Sequence, residues 1–490
     1  MKSREKVMFS LVVILLTVVV MNGPVVKAAA EEGFVMSIRE VVGPKMEGEK
    51  GRIPLVTYIS EGGVMVGEFW YNSNLFDKDT KFTSVLLASP STGIITSFSQ
   101  IKDYPVADRW KLGGNLKIIK FNDIKNGGIG NDSADAAIPE EYFAALEDYK
   151  ELKASGEKMT LPAPTPTDPT NTVQQPVSDL IYAIATDSEG ITAEEEQYIR
   201  SQLSEEEKEM LATLEDEETR EKLDGYRTYE GWNNKLSVDL TYEINQYNEI
   251  VTEYAYEELS SQANDYKSDT LSLAWENENV DNKNNPRQGH KLVARVKKSL
   301  ELLAGNSGED WDYTKYTFDA RKYISLFKDS TLAVRMRTQS TTGDEIVDEE
   351  RSALEMFRTG NPTAEVSTYA PFFDMSLLGD LNTMRGYRYY RFYDNNSVLY
   401  QSELRFPMEN VISYSKDGLL AKIVPNVQGT VFAEAGRVSS SFNTDLFFED
   451  MHYSGGIGFK YFFNQDILAR LDIAHSEEGT QVRMNIGQTF

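Results

Sequence analysis

The sequence predicts an all-β fold, a transmembrane antiparallel β-barrel of about 16 strands with a helical acidic insertion. Three observations support this prediction: long segments that alternate between apolar and polar residues, charge on their polar faces, and an export signal at the N-terminus. The mean hydropathy of the 490-residue chain is −0.43. This value excludes a bundle of spanning helices but not a barrel, because barrel strands distribute their apolar residues thinly.

Residues 1–30 have the three parts of a secretory signal peptide. Basic residues within the first six positions precede an apolar run from Val7 to Met21, and residues 28–30 are all alanine. The run is shorter than the roughly twenty residues that a spanning helix needs. We therefore expect cleavage after Ala30, followed by a short periplasmic segment at 31–53 and the barrel at 54–490.

The predicted strands alternate with period two. Between positions 236 and 244, even positions such as Leu236 and Leu240 are apolar, and odd positions such as Asp239 and Glu243 are polar. Such segments are long enough for tilted membrane strands of about 9–11 residues. The predicted strands are 54–61, 63–72, 80–89, 93–101, 108–122, 235–246, 248–258, 268–279, 289–302, 313–325, 329–340, 396–407, 420–435, 453–463, 466–475 and 480–490.

The polar faces of these strands indicate a wet lumen. Arginines such as Arg335 and Arg470 alternate there with acids such as Asp319 and Asp472, and the apolar faces suit lipid. An even strand number closes a bacterial barrel with both chain ends in the periplasm. Counting back from the C-terminus then predicts that the segment 342–394 is a long external loop, and that the insertion at 123–233 is also external.

The insertion carries most of the negative charge. Residues 132–230 contain 26 acidic and eight basic residues, a net −18 of the chain's −27. A proline-rich stretch at 162–169 predicts an extended linker, and the capping boxes Thr192…Glu195 and Ser204…Glu207 predict two helix starts. We expect a polar helical insertion that forms a solvated surface loop. Binding of cations or of a basic partner by its carboxylates is an open alternative.

Composition excludes several kinds of chemistry. The chain has no cysteine, which removes disulfides, thiolate metal sites and cysteine nucleophiles. Its sequence pI near 4.6 argues against nucleic acid as a partner. The three histidines lack metal-ligand spacing, and no G-x-S-x-G motif occurs. We expect no catalytic residue, no metal, no cofactor and no enzymatic activity.

Several short motifs resemble those of one protein family. The segment 384–387 (MRGY), followed by 396–407 (NSVLYQSELRFP), resembles the bacterial surface antigen superfamily. This family comprises the sixteen-stranded barrels of outer-membrane assembly insertases, the translocation-and-assembly module and two-partner secretion transporters. Four further segments are similar to parts of the same family. Residues 58–63 resemble its first hairpin and 285–289 its Asn-Pro-x-x-Gly turn. Residues 431–436 resemble its late-strand Phe-x-Asp-x-Gly motif and 485–490 its C-terminal signal.

The resemblance implies that the long external loop folds back into the lumen and is locked there. Arg385 would pair with an acid on the late strands, Gly386 would allow a tight tip and Tyr387 would pack beside it. The implied partner is Glu434, where the family has Asp, and Glu403 is the alternative. Phe432 shares the polar face with Glu434, and the same late-strand motif ends at Gly436. The implied C-terminal assembly signal, read by the outer-membrane assembly machinery, includes Ile486, Gly487 and Phe490.

One departure from the family limits the functional prediction. The assembly and secretion members carry periplasmic polypeptide-transport-associated domains, and 31–53 is too short for a compact unit of at least about fifty residues. A separate periplasmic partner would have to supply that step. The predicted function, in the outer membrane of a Gram-negative bacterium, is assistance in outer-membrane protein insertion or in translocation of client proteins. The alternative is a passive channel or structural surface barrel that displays an acidic ion- or partner-binding loop.

Overall fold

The computed structural model describes residues 50–59, 63–126, 145, 148, 149, 152, 155–162, 172–185, 192–215, 227–261, 266–300, 302, 311–347, 367–412, 424–462 and 468–490. The predicted signal peptide and most of the predicted periplasmic segment lie outside these residues. Most of the proline-rich stretch also lies outside them.

Sixteen antiparallel strands follow one another in a closed barrel, which confirms the predicted fold class. Each strand pairs with its neighbours in the sequence, and the first meets the last. The strands are β1 Lys50–Ile59, β2 Gly63–Leu75, β3 Thr80–Ala88, β4 Ile95–Ala107, β5 Trp110–Asn126, β6 Arg227–Asn245, β7 Asn248–Ser261, β8 Tyr266–Val280, β9 Gly289–Leu300, β10 Tyr313–Ser325, β11 Thr331–Gly343, β12 Asn396–Pro407, β13 Val427–Ser439, β14 His452–Phe462, β15 Leu468–Ser476 and β16 Gly479–Ile486.

Some strand ends differ from the prediction. β5 and β6 continue to pair as far as Asn126 and Arg227, so the connecting insertion is shorter than 123–233. β16 ends at Ile486 instead of 490, because Gly487 has a φ of +103° and its N–H donates to the Leu468 carbonyl at 3.0 Å. This left-handed conformation suits glycine and turns the last residues out of the sheet.

The two faces of the barrel differ as the alternation predicts. Leu236, Leu273 and Val431 on the outer face have exposed fractions of 54%, 57% and 48%, whereas Arg405 and Lys460 on the inner face are both 0% exposed. The apolar side chains therefore form the surface available to lipid, and the charged side chains fill the lumen. No helix in the described part of the chain is long and apolar enough to cross a membrane.

The insertion contains a packed helical unit. Its helices are α1 Val177–Ala185, α2 Ala193–Gln202 and α3 Glu205–Leu214, and its hairpin pairs Lys158–Pro162 with Thr172–Pro176. Both predicted capping boxes are present at the starts of α2 and α3. The described part is thus a folded unit rather than a solvated loop. Its core contains Ala145, Tyr149, Val177, Leu180, Ile181, Tyr182, Ile184, Ala185, Ile199, Leu203, Met210, Leu211 and Leu214.

The junction between β1 and β16 is short. Among the described residues, Ile59 opposite Arg483 is its one ladder position, and the Thr57 hydroxyl donates to the Met484 carbonyl at 3.2 Å. By contrast, β1 pairs with β2 at ten positions and β15 with β16 at eight. In the described part of the chain, the ladder at this seam is therefore much shorter than those of the neighbouring strand pairs.

The loop between β11 and β12 enters the barrel. Its described part includes a hairpin of Ser376–Leu378 with Phe392–Asp394, and a 3₁₀ turn at Phe372–Asp374. Buried apolar residues of the loop pack against β12 and β13 in a cluster of Leu378, Met384, Tyr387, Phe392, Leu399 and Val438. This packing brings the 384–387 segment to the inner wall.

A candidate functional site where the loop meets the inner wall

Arg385 lies fully buried at the inner wall, with Glu434 of β13 as its principal partner. Its backbone N–H donates to Glu434 Oε2 at 2.6 Å, and its Nε donates to Oε1 at 2.9 Å. Its Nη1 lies 3.3 Å from carboxylate oxygens of Glu403 and Asp472. Three strands thus present carboxylates to one guanidinium, a group whose planar fork suits several acceptors.

The surrounding charges are paired across β12, β14 and β15. Glu403 accepts from Arg405 Nε at 2.8 Å and also from Lys460, while Arg470 Nε lies 2.8 Å from Asp472. Four cations therefore face three side-chain carboxylates and the backbone carbonyl of Phe490. We call this cluster the lumen lock: Arg385, Arg405, Lys460, Arg470, Glu403, Glu434, Asp472 and the backbone carbonyl of Phe490.

An aromatic ring completes the contact with Arg385. The guanidinium carbon lies 3.4 Å from the centroid of the Phe432 ring, on the same inner face of β13 as Glu434. A cation over an aromatic face is attracted by the ring quadrupole, more strongly when it is desolvated. Phe432 and Glu434 thus contact the same guanidinium.

The two glycines are sites of close approach. A Cβ on Gly386 would lie 2.7 Å from the Cβ of Ser454 and 3.0 Å from the backbone of His475, and a Cβ on Gly436 would lie 2.9 Å from Met384 Sδ. Next to Gly386, the Tyr387 hydroxyl donates to the Tyr453 carbonyl at 3.1 Å. The tip therefore fits against β14 and β15 only with hydrogen in place of a side chain at position 386.

The last three residues lie in the lumen and join the lock. Thr489 Oγ1 accepts from Arg470 Nη1 at 2.6 Å and donates to Glu403 Oε2 at 3.2 Å. Arg405 Nη2 donates to the Phe490 carbonyl at 3.1 Å, and the buried Phe490 ring packs with Tyr323 of β10. The residues of the predicted C-terminal signal are therefore divided: Ile486 ends β16, Gly487 forms the turn, and Phe490 lies inside the barrel rather than at the end of a strand.

The structure also adds lock residues that sequence reasoning did not select, namely Arg405, Lys460, Arg470, Asp472 and Thr489. The alternation predicts that Arg405, Arg470 and Asp472 lie on polar faces, and it assigns no face to Lys460. Thr489 has no distinguishing pattern in the sequence. Their convergence requires the pairing of distant strands. In the described residues, no group of three or more His, Cys, Asp or Glu side chains could hold a metal ion.

The family is decided by comparison with known domains. The family model of the Omp85 superfamily domain matches residues 219–490, more than half of the chain. The chain belongs to the Omp85 superfamily. Proteins of this superfamily are outer-membrane β-barrels of Gram-negative bacteria, and the predicted surface-antigen resemblance is confirmed.

Solved structures of Omp85 proteins resemble the chain at low sequence identity. BamA from Haemophilus ducreyi lacking POTRA domains 1–3 is 12% identical, with a TM-score of 0.45, over 88% of this chain and 69% of that chain. CdiB from Escherichia coli is 6% identical, with a TM-score of 0.48, over 90% of this chain and 63% of that one. CdiB from Acinetobacter baumannii is 8% identical, with a TM-score of 0.42, over 88% and 58%. Comparison with curated proteins gives no match.

Proposed function

We propose that this Omp85 barrel works in the outer membrane of a Gram-negative bacterium, where it assists the insertion of outer-membrane proteins or the translocation of client proteins. The proposal rests on the short seam between β1 and β16, next to the loop between β11 and β12 that the lumen lock holds at the inner wall. A separate periplasmic partner would deliver the client, and the assembly machinery would insert the barrel itself. The proposal contains no catalytic step.

The seam can open at low cost because its ladder is short in the part of the chain that the structure describes. Among the described residues, the ladder between β1 and β16 has one position, with the Thr57 side-chain bond beside it, and each hydrogen bond contributes about 0.5–1.5 kcal/mol net. Opening exposes two strand edges, which are templates for a further strand. An unfolded client strand could therefore pair there on its way into the membrane.

The lumen lock makes the two sides of the seam unequal. Within it, Arg385 joins the loop to β12, β13 and β15. Beside it, the Tyr387 hydroxyl donates to β14, and the Tyr387 carbonyl accepts from Arg483 of β16. On the other side, β1 is joined to β2 by its ladder and by the Arg52–Glu68 ion pair, and to β16 by the short seam. We infer that β16 stays in place when the seam opens and that β1 moves.

Depletion of the protein in its own host tests the proposal. The amounts of folded outer-membrane proteins, measured by quantitative proteomics of isolated outer membranes, should fall. Unchanged outer-membrane and secreted proteins after depletion would overturn the proposed role.

Cross-linking tests the seam itself, because the chain has no native cysteine. Ile59→Cys with Arg483→Cys joins the opposed positions of β1 and β16, and Ser84→Cys with Ser99→Cys joins β3 to β4, where the two hydroxyls lie 2.8 Å apart. Oxidation should block complementation of the depleted strain for the first pair but not for the second, and a reductant should restore it. Equal activity of the oxidised and reduced seam variants would show that the seam need not open.

The folded insertion favours a second candidate, a passive or structural barrel that displays a binding unit at the surface. The observation is its separate helical core, which a mere connection would not need. Deleting 132–226, which leaves β6 intact, should then abolish binding of a basic partner while outer-membrane protein levels stay normal. A fall in those levels on depletion of the full chain would favour the first candidate.

A further inference from the structure

The loop is held at a second place, apart from the lumen lock. The 3₁₀ turn Phe372–Asp374 lies against β5 to β10, whereas Arg385 lies against β12 to β15. The described loop is therefore attached to two separate parts of the inner wall. The first attachment is explained by the family motif, and the second has no counterpart in that motif.

Asp374 is the centre of the second attachment. Its carboxylate, 5% exposed as a residue, contacts Lys297 of β9 and accepts from the Tyr313 hydroxyl of β10. Lys315 of β10 donates to the backbone carbonyls of Asp374 and Met375 at 2.9 and 2.8 Å. Every one of these donors is on the barrel wall, so the wall binds Asp374 as it would bind a ligand.

Phe373 fills an apolar site next to this carboxylate. Its ring packs against a cluster of Phe121, Leu259 and Tyr266, and Lys117 lies 5.2 Å from the ring centroid. An aromatic side chain in an apolar site fixes position, while the neighbouring charge fixes orientation. Release of this turn would uncover the wall behind it.

That wall is positively charged. Lys117, Lys235, Lys297 and Lys315 project into the lumen from β5, β6, β9 and β10, and we call them the lysine wall. Lys235 and Lys117 share Glu257 of β7 at 3.0 and 3.7 Å. In this cluster four lysines thus face two carboxylates, one of which, Asp374, belongs to the loop. Without the loop, the wall would carry four cations and one anion.

We propose that the lysine wall is a carboxylate-binding site occupied by the loop's own Asp374, and that displacement of the Phe373–Asp374 turn opens an anion-selective path past these four lysines. A local excess of cations concentrates anions, and the excess of lysines over carboxylates at this wall gives the preference for anions. The lumen lock stays closed in this state, because it has no residue in common with the lysine wall. The inference concerns ion passage and is independent of a role in protein insertion.

Planar-bilayer recording of the full-length protein tests this proposal. Asp374→Asn should raise the open probability several-fold, with a chloride-over-potassium permeability ratio of about three or more in a KCl gradient. Phe373→Ala changes no charge and should open the same anion-selective path. Lys297→Gln combined with Lys315→Gln in the Asp374→Asn background should bring the ratio closer to one.

Asp380→Asn is the matched control, because Asp380 lies on the same loop and accepts from the backbone of Asn382 and Thr383 instead of from the lysine wall. It should remain as closed as the wild type. Heat-modifiable mobility establishes that each variant is folded, and Phe373→Ala decides the matter if Asp374→Asn does not fold. A closed pore in the folded variants, a cation-selective current, or equal opening by Asp380→Asn would overturn the proposal.

Discussion

Replacing Arg385 with alanine should destabilise the barrel more than the loss of any surface arginine. The substitution removes the cation that pairs with Glu434, and Arg385 is the one cation in an ion pair with that carboxylate among the described residues. Glu434 keeps neutral donors, Gln401 Nε2 at 2.6 Å and the Ser454 hydroxyl at 2.9 Å. It would remain as an enclosed carboxylate without a cation paired to it.

The expected cost follows from burial and from the number of bonds lost. Removing one partner of a buried ion pair typically costs about 3–5 kcal/mol, since the other charge is left uncompensated. The bonds of Arg385 to Glu403 and Asp472 are long, at 3.3 Å, so they add little to this range. We therefore expect the free energy of unfolding to fall by about 3–5 kcal/mol.

The assay is urea unfolding of the purified barrel in lipid vesicles, followed by the fluorescence of its five tryptophans. Arg385→Ala, Glu434→Gln and the double variant form a thermodynamic cycle, in which the double variant should be more stable than the sum of the single losses by about 1.5 kcal/mol or more. Arg52→Ala is the control: Arg52 is 64% exposed in its pair with Glu68, so its loss should cost less than about 1 kcal/mol. A loss below about 1 kcal/mol for Arg385→Ala, or strict additivity in the cycle, would refute the reasoning.

Three further predictions follow from the same structure. Gly386→Ala should cost about 1–3 kcal/mol in the same unfolding assay, because its Cβ would meet the backbone of β15. Phe490→Ala should cost about 3–5 kcal/mol through loss of a buried ring, with a lower temperature for heat-modifiable mobility. In the insertion, hydrogen bonds from Thr192 hold the pKa of Glu195 below its ordinary value, so this carboxylate stabilises α2 above the unfolded-state pKa. That contribution is lost as pH falls through the lowered folded-state pKa, and Glu195→Gln should reduce the pH dependence of the helical circular dichroism signal.

For each of these three predictions, one experimental result would contradict the reasoning. Wild-type stability of Gly386→Ala would mean that the loop tip does not approach β14 and β15 as closely as described. An unchanged Phe490→Ala barrel would place the last residues outside the lumen. An identical acid transition in the wild type and Glu195→Gln would show that the capping box contributes nothing in solution.

The sequence by itself determined the barrel, its strand number and the faces of its strands. In a β-strand the side-chain period is two, so the alternation of Leu236 and Asp239 already separates the lipid face from the lumen face. The boxes at Thr192 and Ser204 are equally local, because donor and acceptor lie three residues apart. For these features, the neighbouring residues in the chain carry the required information.

Only the tertiary structure decided which charges meet inside the lumen. Arg385 and Asp472 are 87 positions apart, and Lys297 and Asp374 are 77 apart. Their contacts depend on barrel closure and on the path of the loop. The insertion's core and the inward turn at Gly487 likewise depend on packing between segments that no short pattern relates. Periodicity specifies the face on which a side chain lies, whereas its partner is selected by the register of distant strands once the barrel has closed.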